Sequence, residues 1–101
     1  ELIYVDDVAD ACIFFFNKRT KESLINIGSD SEKSITEYAK FIIKKFKLKL
    51  RIKYDLTKPN GTMRKKLDNS LAKKYGWSPK IDLNNGLEKV LESFIKIKKL
   101  T

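Results

Sequence analysis

Residues 58–70, KPNGTMRKKLDNS, combine a turn sequence with a cluster of cations. The Pro-Asn-Gly sequence around Asn60 predicts a turn that exposes backbone N–H groups. Arg64 follows with a planar guanidinium that can hold two phosphate oxygens, and Lys65 and Lys66 add point charges. On residue types alone, a solvent-exposed loop is the commoner arrangement, because Lys and Arg are mostly exposed in proteins. The segment therefore predicts either a phosphate site or a hydrated surface loop.

The other reactive side chains fit structural roles better than catalysis. Asp6 and Asp7 precede an apolar helical run, where adjacent carboxylates favour helix capping over one shared centre. Cys12 lies in the run ACIFFF, and the chain has no histidine to activate it, so we expect a buried thiol. One cysteine and no histidine also argue against a zinc site. Trp77, directly after Gly76, is expected to be a packing anchor.

The chain is basic, with a net charge of +9 from 22 Lys and Arg against 13 Asp and Glu. Such a balance is found in proteins that bind nucleic acid, anionic lipid or phosphorylated ligands. The alternating segment 48–54 would place Lys49, Arg51 and Lys53 on one face of a strand. Nucleic-acid modules usually add aromatic side chains to that face, whereas Tyr54 falls on the opposite one. A small basic nucleic-acid-binding domain is kept as the alternative.

Length and composition indicate one small globular domain in a reducing compartment. The chain has 101 residues, 42% of them apolar, and no apolar run approaches the ~20 residues of a membrane span. A single cysteine excludes an internal disulfide, and no signal-peptide pattern is present, so we expect a cytoplasmic protein without membrane contact. The chain opens on ELIYV rather than on Met, which indicates a fragment of a longer protein.

The apolar periodicity predicts the elements that would position these residues. Short strands are expected at 2–5, 24–27 and 48–54. Helices are expected at 8–17, from 35 onwards behind a Ser34/Glu37 capping box, at 69–75 behind Asp68, and after Asp82. The order is β-α-β-α-β, loop, α, α, which predicts the α/β class. The helix 8–17 is apolar on all sides, which indicates a partner surface outside this chain.

Five segments occur together in one order: ELIYVDDVADA, INIGS, SITEYAKFI, KPNGTMRKKLD and KYGWSPKIDLNNGL. Together they resemble the C-terminal part of the extended short-chain dehydrogenase/reductase family, over essentially the entire chain. The Val-Asp-Asp-x-Ala, Gly-Trp-x-Pro and Gly-Leu patterns are shared by many nucleotide-sugar epimerases and dehydratases. The run around Arg64 is the specific part, and it is similar to that of GDP-4-keto-6-deoxy-D-mannose epimerase/reductases.

The chain departs from the family pattern at four positions. The family usually has Asp at Asn60, Pro at Met63, Leu at Lys66 and a second Gly at Asp30. Arg64 is retained, so the resemblance assigns it to the diphosphate of a GDP-sugar, with Asn60 and Lys65 as further substrate-binding residues. The missing carboxylate at Asn60 weakens the assignment of a contact there.

The resemblance implies a role within a larger enzyme. The parent would bind NADP(H) on an upstream Rossmann domain, act as a homodimer, epimerise a GDP-4-keto-6-deoxymannose and reduce its keto group to give GDP-L-fucose. Residues 1–101 would form a single substrate-binding domain that is inactive alone, because the family's catalytic residues and Gly-rich cofactor loop lie upstream. Cys12 does not match the family's catalytic cysteine. Another nucleotide-sugar epimerase or dehydratase is a further alternative.

Overall fold

The computed structural model describes residues 1–61 and 63–100, with side chains to residue 98, as four helices joined by irregular segments. The helices are α1 (Val5–Phe16), α2 (Ile35–Lys45), α3 (Ser70–Lys74) and α4 (Leu83–Leu100). All four predicted helices are therefore confirmed, with shifted ends. Thr62, which belongs to the predicted turn at 58–63, lies outside the described residues.

The predicted strands and the α/β class are wrong for the part of the chain that the structure describes. Segments 2–4, 24–27 and 48–54 are irregular. Outside the helices, the backbone–backbone hydrogen bonds of the described residues join positions at most five apart, such as Leu48 N to Ile43 O at 3.0 Å. A strand needs a partner backbone as well as an alternating sequence, and no described segment supplies one. The regular secondary structure of the described residues is therefore all α-helix.

The core forms where α1 meets α3 and the residues that follow it. Ala11, Ala72 and Trp77 are buried, with Ile3, Phe14, Phe15, Ile25 and Ile27 packed against them. The Trp77 side chain is 2% exposed, so its predicted role as a packing anchor is confirmed.

The end of α3 explains how Trp77 reaches the core. Gly76 has φ +100°, and its N–H donates to Lys73 O at 2.9 Å, while Trp77 N–H donates to Ala72 O at 3.0 Å. This pair of bonds is a Schellman motif, which turns the chain back over the helix. The predicted helix end at Gly76 is confirmed.

Asp7 joins α1 to the segment before α4, which corrects its predicted role as a helix cap. Its side chain is 2% exposed, and its carboxylate accepts from Lys80 N at 3.1 Å and from Ile81 N at 2.9 Å. The residue at the N-cap position of α1 is Tyr4, and no side chain caps that end. Local sequence predicts a cap, but donors 73 and 74 positions away occupy the carboxylate.

Asp10 makes a second link on the same face of α1. Its Oδ2 accepts from Trp77 Nε1 at 3.0 Å and lies 3.4 Å from Lys80 Nζ. The hydrogen bond from the Trp77 indole holds the pKa of Asp10 below its ordinary value, and the Lys80 ammonium adds to this effect. Because both links lie one helical turn apart, α1 fastens the Gly-Trp-Ser-Pro-Lys-Ile segment along one face.

The opposite face of α1 is apolar and exposed. Phe16 is 89% exposed, Val5 67% and Ile13 66%. Cys12 lies on the same side and is also exposed, so the prediction of a buried thiol is wrong. Cys12 lies in an apolar run as predicted, but the described part of the chain covers the face of α1 that carries Ala11 and leaves the face of Cys12 exposed.

The predicted N-terminal caps of α2 and α4 are formed, whereas the N-cap of α3 is Asn69 and not Asp68. Ser34 and Glu37 form the predicted capping box of α2, with Glu37 N to Ser34 Oγ at 3.1 Å. Asp82 Oδ1 accepts from Asn85 N at 2.8 Å at the start of α4, as predicted. Asp68 lies one residue before the N-cap Asn69 and accepts from the N–H of the first helical residue of α3 at 2.9 Å.

Candidate functional site

The segment leading to Arg64 is less regular than its sequence predicts. The turn falls at 55–58, where Thr57 N donates to Asp55 Oδ1 at 3.0 Å, and residues 59–61 are irregular. Among the described glycines only Gly76 has a positive φ, so Gly61 does not adopt a left-handed turn conformation. The turn predicted around Asn60 and Gly61 is therefore not formed by the described residues of that segment.

Arg64 is oriented by one acidic neighbour. Its Nε donates to both carboxylate oxygens of Glu32, at 2.7 Å and 3.0 Å. This contact lowers the pKa of Glu32 and raises that of Arg64, because each charge stabilises the other. The Arg64 side chain is 70% exposed. Since the pairing occupies Nε, the two terminal nitrogens of the guanidinium stay available to a ligand within the described structure.

Arg64 lines an open groove of about 440 Å³ at the start of α3. Its charged and polar lining residues are Asp30, Arg64, Lys66, Asp68, Asn69, Ser70 and Lys73. Lys73 pairs with Asp30, and Asp68 accepts from Ser70 N. Arg64 pairs with Glu32 beside the groove, so Lys66 is the lining cation that has no ion pair among the described residues.

The other two predicted site residues do not line this groove. Asn60 and Lys65 are exposed on the segment before it and at its edge. The carbonyl of Lys65 accepts from Glu1 N at 3.0 Å, and Leu67 N donates to Glu1 Oε1 at 3.0 Å. Glu1 therefore contacts the backbone on both sides of Lys66, at the edge of the groove.

Asn69 lines the same groove, which its sequence context does not indicate. It is 2% exposed, and its Oδ1 accepts from the buried N–H of Gly28 at 3.2 Å. Its Nδ2 is buried and has no hydrogen-bond partner among the described residues. Buried polar groups are almost always paired, so an orphaned amide beside a groove is an exception. The pattern predicts Asn69 as the first residue of a helix, and nothing local indicates its contact 41 positions away.

The contacts of Asp30 and Glu32 were also not predicted, because each carboxylate pairs with a cation more than 30 positions away. Asp30 stands where the family pattern has glycine, and its φ of +65° is a left-handed conformation that glycine adopts most easily. Asp is one of the few other residues that tolerate it. The departure at Asp30 thus keeps the backbone path and adds a carboxylate that binds Lys73.

A second, larger groove of about 560 Å³ lies between residues 2–4, α2 and α4. Its walls are mainly apolar and include Tyr4, Tyr38, Phe41 and Leu87. Lys33 and Lys80 also line it, but Lys80 contacts Asp10. The groove offers mainly apolar contact area, and its other polar lining residues are Ser29, Ser31, Asp82 and Asn84.

The residues of this chain do not fit a dinucleotide cofactor. Its four glycines stand at 28, 61, 76 and 86, so no Gly-x-x-Gly-x-x-Gly loop is present. Gly28 packs against Glu1 and Gly86 packs against Tyr4, which leaves neither free to approach a pyrophosphate.

No helix among the described residues has the length and apolarity to cross a membrane.

Comparison with known proteins gives relatives over nearly the whole chain. It is 36% identical over 96 residues to GDP-L-fucose synthase 1 of Arabidopsis thaliana, covering 95% of the chain and 30% of that protein. It is 39% identical over 99 residues to GDP-L-colitose synthase of Yersinia pseudotuberculosis, covering 97% and 32%. It is 33% identical over 105 aligned positions to GDP-L-fucose synthase of Escherichia coli K12, covering 95% and 33%.

No protein-family model matches the chain. No solved structure matches it either. The chain spans about a third of the length of the curated relatives it matches. The family resemblance read from its motifs is confirmed: over about 95% of its length, this chain is a relative of the GDP-L-fucose synthases.

Proposed function

We propose that this chain is the GDP-sugar-binding portion of an NADPH-dependent GDP-4-keto-6-deoxy-D-mannose 3,5-epimerase/4-reductase, which makes GDP-L-fucose. The observation that carries the proposal is the relation to GDP-L-fucose synthases over 95% of the chain, which includes the segment around Arg64. In this proposal the cofactor and the reacting groups belong to a Rossmann portion of the parent enzyme, and residues 1–101 bind substrate.

Arg64 is the proposed ligand of the diphosphate, and its surroundings suit that role. The Glu32 carboxylate holds Nε and so fixes the plane of the guanidinium. The two terminal nitrogens can then donate in parallel to two phosphoryl oxygens, which is the strongest geometry for this pair. Lys66 adds a second positive charge along the same groove. Asn60 and Lys65 remain proposed contacts from the adjoining segment.

The competing function is binding of nucleic acid through many exposed lysines. The predicted basic strand at 48–54 is irregular, so its cations do not form one ordered face. Binding of that kind would be spread over many side chains and would weaken steeply with salt. Binding of a GDP-sugar would depend mainly on one arginine and on the guanine base.

The test is calorimetric titration of the full-length protein with GDP, beside the variants Arg64→Ala and Arg51→Ala. Both variants remove one exposed arginine and one positive charge, but Arg51 lies on the basic segment outside the groove. We expect Arg64→Ala to weaken GDP binding by roughly 10- to 100-fold, the effect of losing charge-assisted hydrogen bonds. Arg51→Ala should bind GDP like the unmodified protein.

Two results would contradict the proposal. Equal, small losses in both variants would indicate diffuse electrostatic attraction. Equal affinity for GDP and for inorganic pyrophosphate would show that the nucleoside is not recognised. In either case, titration with single-stranded RNA over a range of salt concentrations would then test the nucleic-acid alternative.

A further inference from the structure

We propose that Asp30 is a specificity-determining residue of the groove at Arg64 and makes this groove favour a nucleotide-sugar over the free nucleoside diphosphate. This inference rests on the proposed function, because it assumes that the groove holds the diphosphate. A free nucleoside diphosphate ends in a phosphate monoester, which carries a second negative charge above a pKa of about 6. In a nucleotide-sugar that phosphate is esterified, so the ligand carries one negative charge less.

Asp30 and Lys73 form an ion pair inside the groove. Both residues line it, and the pair joins positions 43 apart in the sequence. The Asp30 side chain is 45% exposed and that of Lys73 44%, so the pair lies at the surface where a ligand would meet it. Because the Lys73 ammonium is balanced by a carboxylate of the protein, it attracts an additional anion less strongly.

The other charges of the groove are balanced in a similar way. Arg64 pairs with Glu32 through Nε, and Lys66 is the lining cation without an ion pair among the described residues. Asp68 lines the groove as a further carboxylate. With Asp30 included, the three lining cations therefore face as many carboxylates. An extra negative charge on the ligand meets no surplus of positive charge there.

The carboxylate of Asp30 decides this balance. Two negative charges a few ångströms apart repel each other even in water, so Asp30 opposes the additional charge of a free terminal phosphate. The penalty falls mainly on the more highly charged ligand, which is how a repulsive contact creates specificity. The family pattern usually has glycine at this position, so the carboxylate is a particular feature of this chain.

The test measures the dissociation constants of GDP and of GDP-mannose by calorimetric titration at about pH 8, where the terminal phosphate of GDP is fully ionised. The full-length protein is compared with Asp30→Asn, which removes the charge and keeps a residue that tolerates the φ of +65°. We expect the ratio of the two constants, GDP over GDP-mannose, to fall by roughly three- to tenfold in Asp30→Asn. This is the effect of removing one close pair of like charges.

Two further variants control for general charge and for folding. Asp6→Asn makes the same change at an exposed position that lines neither groove, so its ratio should equal that of the unmodified protein. Asp30→Gly introduces the residue that adopts a positive φ most easily, and it should lower the ratio as Asp30→Asn does. Exposed ion pairs add little to stability, so we expect both Asp30 variants to fold.

The outcomes separate this inference from the proposed function. An unchanged ratio in the Asp30 variants would overturn the inference, as would an equal fall in Asp6→Asn. If Arg64→Ala weakens binding of both ligands while the Asp30 variants leave the ratio unchanged, the role of Asp30 is wrong and the proposed function stands. If the unmodified protein binds neither GDP nor GDP-mannose, both are wrong.

Discussion

At the scale of single residues, the buried Asp7 carboxylate joins α1 to the segment before α4. It accepts from two backbone N–H groups that have no other acceptor in the described structure, and it is 2% exposed. We expect Asp7→Ala to lower the free energy of unfolding by about 2–4 kcal/mol, because it leaves both donors unpaired. Urea denaturation followed by Trp77 fluorescence measures this loss.

Asp6 provides the matched control for Asp7. It is the adjacent residue in the first turn of α1, carries the same charge and is exposed. Asp6→Ala should cost less than about 1 kcal/mol, the value of a carboxylate near a helix N-terminus. Equal losses at both positions would show that the carboxylates act only through the helix dipole.

The Asp10 carboxylate gives the stability a dependence on pH. The Trp77 hydrogen bond lowers the pKa of Asp10 from its ordinary 3.8, and Lys80 lowers it further. A carboxylate whose pKa is lower when folded stabilises the protein above its unfolded pKa, and this contribution is lost as pH falls through the folded pKa. The amide of Asp10→Asn does not titrate there. The difference in urea midpoint between the unmodified protein and Asp10→Asn should therefore narrow below about pH 4.

Substitution of Trp77 tests whether its hydrogen bond to Asp10 causes the pH dependence of this difference in urea midpoint. Trp77→Phe removes the indole N–H that donates to Asp10 Oδ2. In the Trp77→Phe background, Asp10→Asn should change the urea midpoint with a smaller dependence on pH than it does in the unmodified protein. The reason is that the main cause of the lowered Asp10 pKa is then absent. An unchanged difference would assign the effect to Lys80 alone.

At the scale of elements, the end of α3 depends on a conformation that only glycine adopts easily. Gly76 has φ +100°, whereas a Cβ there would meet Phe14 Cζ at an ordinary 3.7 Å. Gly76→Ala should therefore cost about 1–2 kcal/mol through backbone strain and not through a clash. Gly61→Ala is the control, since its Cβ would meet no atom within 4 Å. Comparable thermal midpoints for the two variants would contradict this assignment.

The helices, the starts of α2 and α4 and the end of α3 were predictable because their determinants are local. The Ser34/Glu37 capping box, Asp82 and Gly76 act within a few residues of the ends they define. The strands were not predictable in the same way, because the alternation at 48–54 reports a suitable sequence and says nothing about a partner. Arg64, the cation that the sequence singles out, lines the groove. The contacts around it were not predictable, because Glu32 pairs with Arg64 across 32 positions and Asn69 bonds to a backbone N–H 41 positions away.

At the scale of the whole molecule, the exposed apolar face of α1 should dominate the solution behaviour of the 101-residue chain. Val5, Ile13 and Phe16 are 67%, 66% and 89% exposed on one helix. Contiguous apolar surface of this kind promotes association. We expect Phe16→Lys to reduce self-association in sedimentation velocity, and binding of a hydrophobic dye, with less than about 0.5 kcal/mol change in stability, as for most exposed positions.

Leu56→Lys separates the effect of the patch from that of added charge. Leu56 is 92% exposed, and the substitution makes the same apolar-to-cation change in a turn outside α1. In a chain of net charge +9, one further cation adds little general repulsion. If Leu56→Lys lowers self-association as much as Phe16→Lys does, charge repulsion explains the effect. If only Phe16→Lys lowers it, the α1 face is the surface through which the chain associates.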